Sequence, residues 1–206
     1  MLNKGVIIII SISIFMSCGF KELKNLNNYD SSKNKIENPY FSNKKMDYNY
    51  KVKIEINKKI INGIISIKKL DSIHHRIAFT SGFGYKIFDL EISKNDSKWN
   101  SINNEINKKY IKKLLSENIT NLISGNNKIN YTYQKNNKLL YSSREGIKES
   151  VYLFNNENML IEIYNEKNGF KKSFISFKKI KNNLSENITI LNFQPSIKIN
   201  LTFLDN

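Results

Sequence analysis

Residues 50–56 read Tyr-Lys-Val-Lys-Ile-Glu-Ile, so an apolar or aromatic side chain alternates with a charged one along the whole stretch. Successive side chains of a β-strand point to opposite faces, and this alternation therefore predicts a strand with one buried and one solvated face. The same pattern follows at 61–67 and ends the chain at 197–203. These segments predict a sheet with a single apolar face.

The chain after residue 50 keeps this period of two almost throughout. About ten strands joined by short turns are predicted, and short turns favour antiparallel neighbours. The exception is 102–123, where apolar residues recur at spacings of three and four and Gly125 follows as a stop signal. This spacing predicts one amphipathic helix.

A long antiparallel sheet with one apolar face tends to curl, and the apolar stripe of the helix must be buried. We therefore expect a mainly β fold of the α+β class: an open or incomplete antiparallel barrel whose concave side is plugged or covered by the helix. Such a barrel either encloses an apolar cavity or is filled by its own side chains. Both alternatives have the same alternation of apolar and polar residues, so the sequence does not distinguish them.

The first residues of the chain have the layout of an export signal. Lys4 precedes a mostly apolar run at 6–16, which ends at Ser17 and Cys18. This is typical of a secretory signal peptide, since a membrane span needs roughly 20 apolar residues. Cys18, the one cysteine of the chain, lies where the lipobox of bacterial lipoproteins has its acylated cysteine. The resemblance implies cleavage after residue 17 and lipidation of Cys18; the alternative is an ordinary signal peptide.

A polar region without a period follows the cysteine and predicts a flexible tether. The predicted organisation is a signal peptide at 1–17, a tether at 18–48 and one open-barrel domain at 49–206. The net charge of +15 is spread along the chain. A charge of this sign raises an anionic membrane or nucleic acid as partner, and export argues against nucleic acid. The alternative, favoured by the even spread of the charge, is a general enrichment in Lys, Asn and Ile along the chain.

Residues 76–84 read Arg-Ile-Ala-Phe-Thr-Ser-Gly-Phe-Gly, and a second alternating strand follows at 85–92. This stretch resembles a segment of the outer-membrane lipoprotein receptor LolB, in which Arg, three apolar residues, Thr and any residue precede Pro-Leu-Gly. Phe83 and Gly84 correspond to the Leu and Gly of that motif, and Gly82 replaces its Pro. The resemblance implies the barrel of about 10–11 strands shared by LolA and LolB. It also implies binding of lipoprotein acyl chains and a location at the outer membrane.

Two groups of residues are candidates for contact with lipid or cargo. Gly82, Phe83 and Gly84 are the loop expected to touch membrane or cargo, because glycines permit a projecting turn; the alternative folds Phe83 back onto the sheet. The second group comprises inward-facing residues that would line an acyl-chain pocket or fill a core: Ile54, Ile65, Ile77, Phe88, Leu90, Ile199 and Leu201.

No arrangement of catalytic or metal-binding residues is recognisable in the sequence. His74 and His75 are adjacent on a predicted strand and so point to opposite faces. Asp89 and Glu91 share a face predicted to be solvated, which does not suit acid–base catalysis. We therefore expect no enzyme, no metal and no cofactor. The expected protein is a monomer held to a membrane through Cys18, with lipid or lipoprotein acyl chains as ligands; the alternative is a filled barrel that binds protein partners.

Overall fold

The computed structural model describes residues 33–56, 59–93, 96–125, 127–135 and 138–205. Cys18, the predicted signal peptide and residues 18–32 of the predicted tether lie outside these ranges. Within them, no helix has the length and hydropathy needed to cross a membrane. The elements are β1 Lys35–Ile36, β2 Asp47–Ile56, β3 Lys59–Lys69, β4 His75–Ser81, β5 Lys86–Ile92, β6 Ser97–Ile102, α1 Lys109–Ile123, β7 Asn127–Lys128, β8 Tyr131–Lys135, β9 Lys138–Glu145, β10 Lys148–Phe154, β11 Leu160–Lys167, β12 Phe170–Lys181, β13 Leu184–Phe193 and β14 Ser196–Phe203.

Twelve strands form one antiparallel sheet in the order β6-β5-β4-β3-β2-β14-β13-β12-β11-β10-β9-β8. The first long strand, β2, pairs with the last, β14, and Val52 lies opposite Leu201. The sheet therefore consists of two meanders joined at its centre. Its edges, β6 and β8, do not pair with each other, so the sheet is open. The predicted open antiparallel barrel with one helix is confirmed.

The concave face of this sheet carries the main core. Inward-facing residues align across the strands in rows, and one row consists of Tyr152, Ile163, Ile175, Ile190, Ile199 and Ile54. Helix α1 covers this face with Leu114, Leu115, Ile119 and Leu122, all buried. Burial of each such side chain contributes about 1.5–3 kcal/mol, which explains why the apolar stripe of the helix lies against the sheet.

The N-terminal segment 33–46 also belongs to this core, contrary to its prediction as part of a flexible tether. Tyr40 and Phe41 are buried, and the Phe41 ring lies 5.1 Å from that of Tyr48. The Asn38 amide donates a 2.9 Å hydrogen bond to the carbonyl of Leu122 at the end of α1. The segment crosses the concave face instead of following a strand, so its apolar residues show no period.

The helix is shorter than predicted. Ile102 belongs to β6, where it lies opposite Phe88, and Ile106 lies in the turn that follows. Their spacing matched a helix by coincidence, because inward positions of a strand and a turn can also fall four residues apart. From Lys109 onward the prediction agrees with the structure, and α1 passes through residues 118–120 without a break.

Turns alternate between the two ends of an antiparallel meander. Those between β2–β3, β4–β5, β9–β10, β11–β12 and β13–β14 therefore lie at one end, which we call the hairpin end. Those between β3–β4, β5–β6, β8–β9, β10–β11 and β12–β13 lie at the other, which we call the opposite end.

Candidate functional site

The seven predicted pocket residues are all on the concave face and all buried in one core cluster. Ile54, Leu201 and Ile199 lie near the centre of the sheet, on β2 and β14. The others are on β3, β4 and β5, where aromatic rings pack closely: those of Phe79 and Phe88 are 5.5 Å apart. The structure brings the seven together as packed core residues, and none of them lines the cleft described next.

A cleft of about 330 Å³ opens between α1 and the hairpin-end portions of β10–β13. Its helical wall is formed by side chains at three- and four-residue spacings, so they share one face of α1. They are Tyr110, Lys113, Leu114, Glu117, Asn118 and Asn121. The volume falls at the lower end of the 300–1,000 Å³ that is usual for ligand sites.

The floor of the cleft is a line of four polar side chains, which we call the polar row: Ser150, Asn165, Ser173 and Asn192. Each lies directly opposite the next on neighbouring strands. Ser150 donates to Asn165 over 2.7 Å, and Asn165 donates to Ser173 over 3.0 Å. Apolar residues occupy the next inward positions of these strands toward the opposite end, so the polar row forms the border of the apolar face.

Two buried polar atoms at the cleft have no hydrogen-bond partner among the described residues. They are Nδ2 of Asn118, on the helical wall, and Oδ1 of Asn192, at the end of the polar row. Asn118 is only 2% exposed. An unpaired buried donor or acceptor costs about 1–3 kcal/mol. The cleft therefore offers an unused donor and an unused acceptor to a polar group.

Positive charge surrounds the mouth of the cleft. Lys113, Lys148, Lys167 and Lys172 line it, against Glu117 and Glu166. The ion pairs in the described part of the chain involve none of these four lysines. The cleft thus has an excess of positive charge, which favours an anionic group at its mouth.

Polarity changes in a fixed order along the strands that form the floor. On β10, Lys148, Ser150 and Tyr152 point to the same face, and on β12 Ser173 precedes Ile175. Alternate residues of a strand are about 7 Å apart. A ligand extending from the mouth inward would meet charge, then hydrogen-bonding groups, then apolar side chains.

The loop predicted to contact membrane or cargo forms the tip of the β4–β5 hairpin. Phe83 is 91% exposed, so its ring does not fold back onto the sheet. The turn is closed by hydrogen bonds between Ser81 N and Tyr85 O and between Gly84 N and Ser81 O, at 2.8 and 2.9 Å. Gly84 has a φ of +82°, which glycine adopts without strain.

Asp89 corrects the prediction that its carboxylate is solvated. It is 3% exposed, and the Arg76 guanidinium donates to its two oxygens over 3.1 and 2.8 Å. Asn100 adds a third hydrogen bond of 3.3 Å. The Arg76 hydrogen bonds outweigh burial and lower the pKa of Asp89. The carboxylate thus holds β4, β5 and β6 together on the convex face.

The adjacent histidines have separate partners. His74 Nδ1 lies 2.7 Å from the Asp71 carboxylate, whereas His75 is buried and its Nε2 lies 3.1 Å from the Phe41 carbonyl. Burial lowers the pKa of His75. In the described ranges, no three His, Cys, Asp or Glu side chains come together as a metal site.

Sequence reasoning missed the polar row and the cleft. Ser150, Asn165, Ser173 and Asn192 are far apart in the chain and meet only through strand register. One signal was available: each shares a strand face with buried apolar residues, as Ser173 does with Ile175. Ligand pockets typically set a few polar groups among apolar side chains.

The open sheet with a covering helix defines the LolA/LolB-like class of fold. A LolA superfamily protein from Nitrosomonas europaea superimposes with a TM-score of 0.52 and 6% identity, covering 82% of this chain and 88% of that one. A domain described as an outer-membrane lipoprotein-sorting protein from Vibrio parahaemolyticus gives 0.45 and 8%, covering 77% and 83%. A DUF1329 family protein from Desulfovibrio piger gives 0.44 and 7%, covering 77% and 84%.

At 6% identity, the similarity to the LolA superfamily protein concerns the fold alone. No protein-family model matches the chain, and no curated protein matches it in sequence. A shared fold does not determine function, which depends on the residues of the site.

Proposed function

We propose that this chain is a membrane-anchored lipoprotein of the bacterial envelope that binds the acyl chain of a lipid or lipoprotein in the cleft under α1. The observation that carries the proposal is the order of polarity in the cleft: lysines at the mouth, the polar row, then apolar side chains. This order matches the head group, ester or amide linkage and acyl chain of an amphiphile.

The acyl chain would extend from the polar row along the apolar row that includes Ile163 and Ile175. That region is packed, so the chain would take the place of side chains that α1 presents to the sheet, such as Leu114. Contacts between the acyl chain and the sheet would replace contacts between the α1 side chains and the sheet. Each methylene of the acyl chain that is buried contributes about 0.8 kcal/mol to binding. Binding would then couple to a small displacement of the helix.

The sequence supports the envelope assignment. The apolar run ending at Cys18 and the resemblance of 76–84 to LolB favour acylation of Cys18 and attachment at the outer membrane. Stable attachment usually needs two lipid chains, which a diacylated cysteine provides. Lipoprotein localisation is the process this assignment suggests.

Native mass spectrometry of the chain from residue 18 onward, with Cys18→Ser and without detergent, tests ligand binding. We expect an added mass of one acyl lipid that organic extraction removes. Leu114→Trp fills the cleft and should abolish the added mass. Leu115→Trp is the matched control, because Leu115 is equally buried on α1 but does not line the cleft. Equal binding by both variants would place the lipid elsewhere.

The second candidate is a lipoprotein with a filled barrel that binds proteins. It is favoured by the close packing of the seven predicted pocket residues. A mass that stays that of the free protein after incubation with acylated peptide and phospholipid would exclude acyl-chain binding and leave this candidate.

A further inference from the structure

The two ends of the sheet differ in exposed apolar residues. At the hairpin end, every one of the five hairpins carries a large exposed apolar or aromatic side chain. These are Ile60 at 57%, Phe83 at 91%, Tyr85 at 75%, Ile147 at 58%, Phe170 at 68% and Phe193 at 46% exposure. Among the described turn residues of the opposite end, such side chains occur in one turn, at Leu70 and Ile73.

Lysines lie beside the apolar tips of the hairpin end. The described hairpin-end segments 59–60, 81–86, 145–148, 167–172 and 193–196 hold six lysines against Glu145: Lys59, Lys86, Lys148, Lys167, Lys171 and Lys172. Lys86 is also 3.6 Å from Asp89. With flanking strand residues counted in the same way, the described part of the opposite end holds Asp71, Glu91, Asp96 and Glu157 against Arg76 and six lysines: Lys68, Lys69, Lys98, Lys135, Lys138 and Lys181. Lysines therefore lie at both ends, and the hairpin end differs in having them beside exposed apolar tips.

Apolar side chains on projecting tips, with lysines beside them, match the chemistry of a membrane interface. Aromatic rings settle at the level of lipid head groups, and lysines are attracted to anionic lipids. A row of tips at one end of a rigid sheet can enter the interface together without opening the fold. A protein partner would need a complementary acidic and apolar surface, whereas an anionic bilayer offers both properties everywhere.

We propose that the hairpin end docks onto an anionic lipid bilayer, with the five hairpin tips entering the head-group region. This goes beyond binding of a single acyl chain and does not depend on it. The bilayer contacts the outside of the hairpins, whereas the cleft lies between α1 and the concave face. The domain then stands upright on the bilayer, with its strands steeply inclined to the surface and the mouth of the cleft near the head groups.

The test is cosedimentation of the chain from residue 18 onward, with Cys18→Ser, with vesicles of phosphatidylglycerol and phosphatidylcholine. We expect binding that weakens in high salt and is nearly absent on pure phosphatidylcholine. Lys59→Gln with Lys171→Gln should lower affinity about 25-fold, at about fivefold for each lysine. Neither residue lines the cleft, so the effect is separate from ligand binding in it.

The matched control is Lys178→Gln with Lys181→Gln, which removes the same charge near the opposite end and should leave affinity nearly unchanged. A second comparison tests the apolar tips. Phe83→Ser with Phe170→Ser should lower affinity at least about tenfold. The control, Leu70→Ser with Ile73→Ser at the opposite end, should have little effect. Circular dichroism confirms that each variant is folded.

Equal losses in the two lysine variants would show attraction by net charge alone and overturn the proposal. Absence of binding to anionic vesicles would overturn it as well. Acyl-chain binding is measured in solution with an uncharged monoacylglycerol and no vesicles. Binding of this probe without binding to vesicles would support the proposed function and overturn the docking surface. Binding to vesicles without binding of the probe would support the docking surface and overturn acyl-chain binding in the cleft.

Discussion

The hydroxyl of Tyr40 donates a 2.6 Å hydrogen bond to the carbonyl oxygen of Leu160, 120 residues further along the chain. The Tyr40 ring also lies 4.5 Å from that of Phe177. Burial raises the pKa of Tyr40 far above its usual value, so the group remains a neutral donor. The contact fixes the N-terminal segment across the concave face beside β11 and β12.

Removing this hydroxyl should destabilise the fold. Tyr40→Phe keeps the ring but leaves the buried Leu160 carbonyl without this donor, and we expect a loss of about 1–3 kcal/mol. Urea unfolding measures the free-energy change. Tyr110→Phe is the control, because Tyr110 is half-exposed at the mouth of the cleft. Equal stability of both variants would mean that the segment is not held by this bond.

Gly63 should tolerate no side chain. It lies on β3 opposite Ser81 of β4, and a Cβ there would overlap the Thr80 carbonyl oxygen and lie 2.6 Å from Cε2 of Phe79. We expect Gly63→Ala to cost about 1–3 kcal/mol, since backbone and core would have to shift. Gly82→Ala, where a Cβ meets nothing within 4 Å, should be nearly neutral. The midpoints of thermal unfolding of the two variants test this prediction, and equal midpoints would contradict it.

Stability should fall on mild acidification because of His75. Burial lowers the pKa of this residue in the folded state below its ordinary value of about 6.5. The unfolded chain therefore binds the proton first, and stability is lost as pH falls from about 6.5 toward the lower folded pKa. Denaturation at about pH 7.5 and 5.5 should show this slope, and His75→Asn should reduce it. If the stability of the variant depends on pH as strongly as that of the wild type, groups other than His75 cause the dependence.

Arg76 should matter mainly through Asp89. Arg76→Gln removes both guanidinium hydrogen bonds and leaves a buried carboxylate with Asn100 and Lys86, so we expect a lower midpoint of thermal unfolding. Adding Asp89→Asn should restore part of the loss, because the buried charge is then absent. The double-mutant cycle measures this coupling; additive effects would indicate that the two side chains act independently.

The same pair makes a prediction for acid. Because the pKa of Asp89 is lowered in the folded state, its contribution is present above the unfolded pKa of about 3.9 and is lost as pH falls through the folded pKa. Arg76→Gln should therefore weaken the acid dependence of stability in this range. Unchanged acid dependence would mean that other carboxylates dominate it.

Alternation predicts this sheet well because an inward side chain such as Ile54 or Leu201 is apolar for one reason, burial on the concave face. Local pattern is less informative where contacts are remote. Tyr40 lies among lysines and asparagines, and it contacts Leu160 of β11 and Phe177 of β12, both more than 100 residues away. Contacts with remote strands leave no periodic pattern in the local sequence, which is why the sequence of residues 33–46 predicts a tether.

The candidate site was hidden for a related reason. Ser150 and Asn192 each look like an ordinary polar residue in its own strand, and only the register of four strands joins them with Asn165 and Ser173. Conversely, the apolar residues that the sequence did single out, such as Ile77 and Leu90, fill the core. Alternation identifies which face is buried, whereas the space left on that face depends on how α1 and the N-terminal segment pack.

The point where the chain enters the domain has a mechanical consequence. Lys33 donates a 3.1 Å hydrogen bond to Asn158 in the β10–β11 turn, so the chain arrives from the side of the opposite end. A ten-residue strand is about 33 Å long. The chain therefore enters at one end of the strands while the hairpin tips lie at the other, and a pull applied between the two would act along the strands.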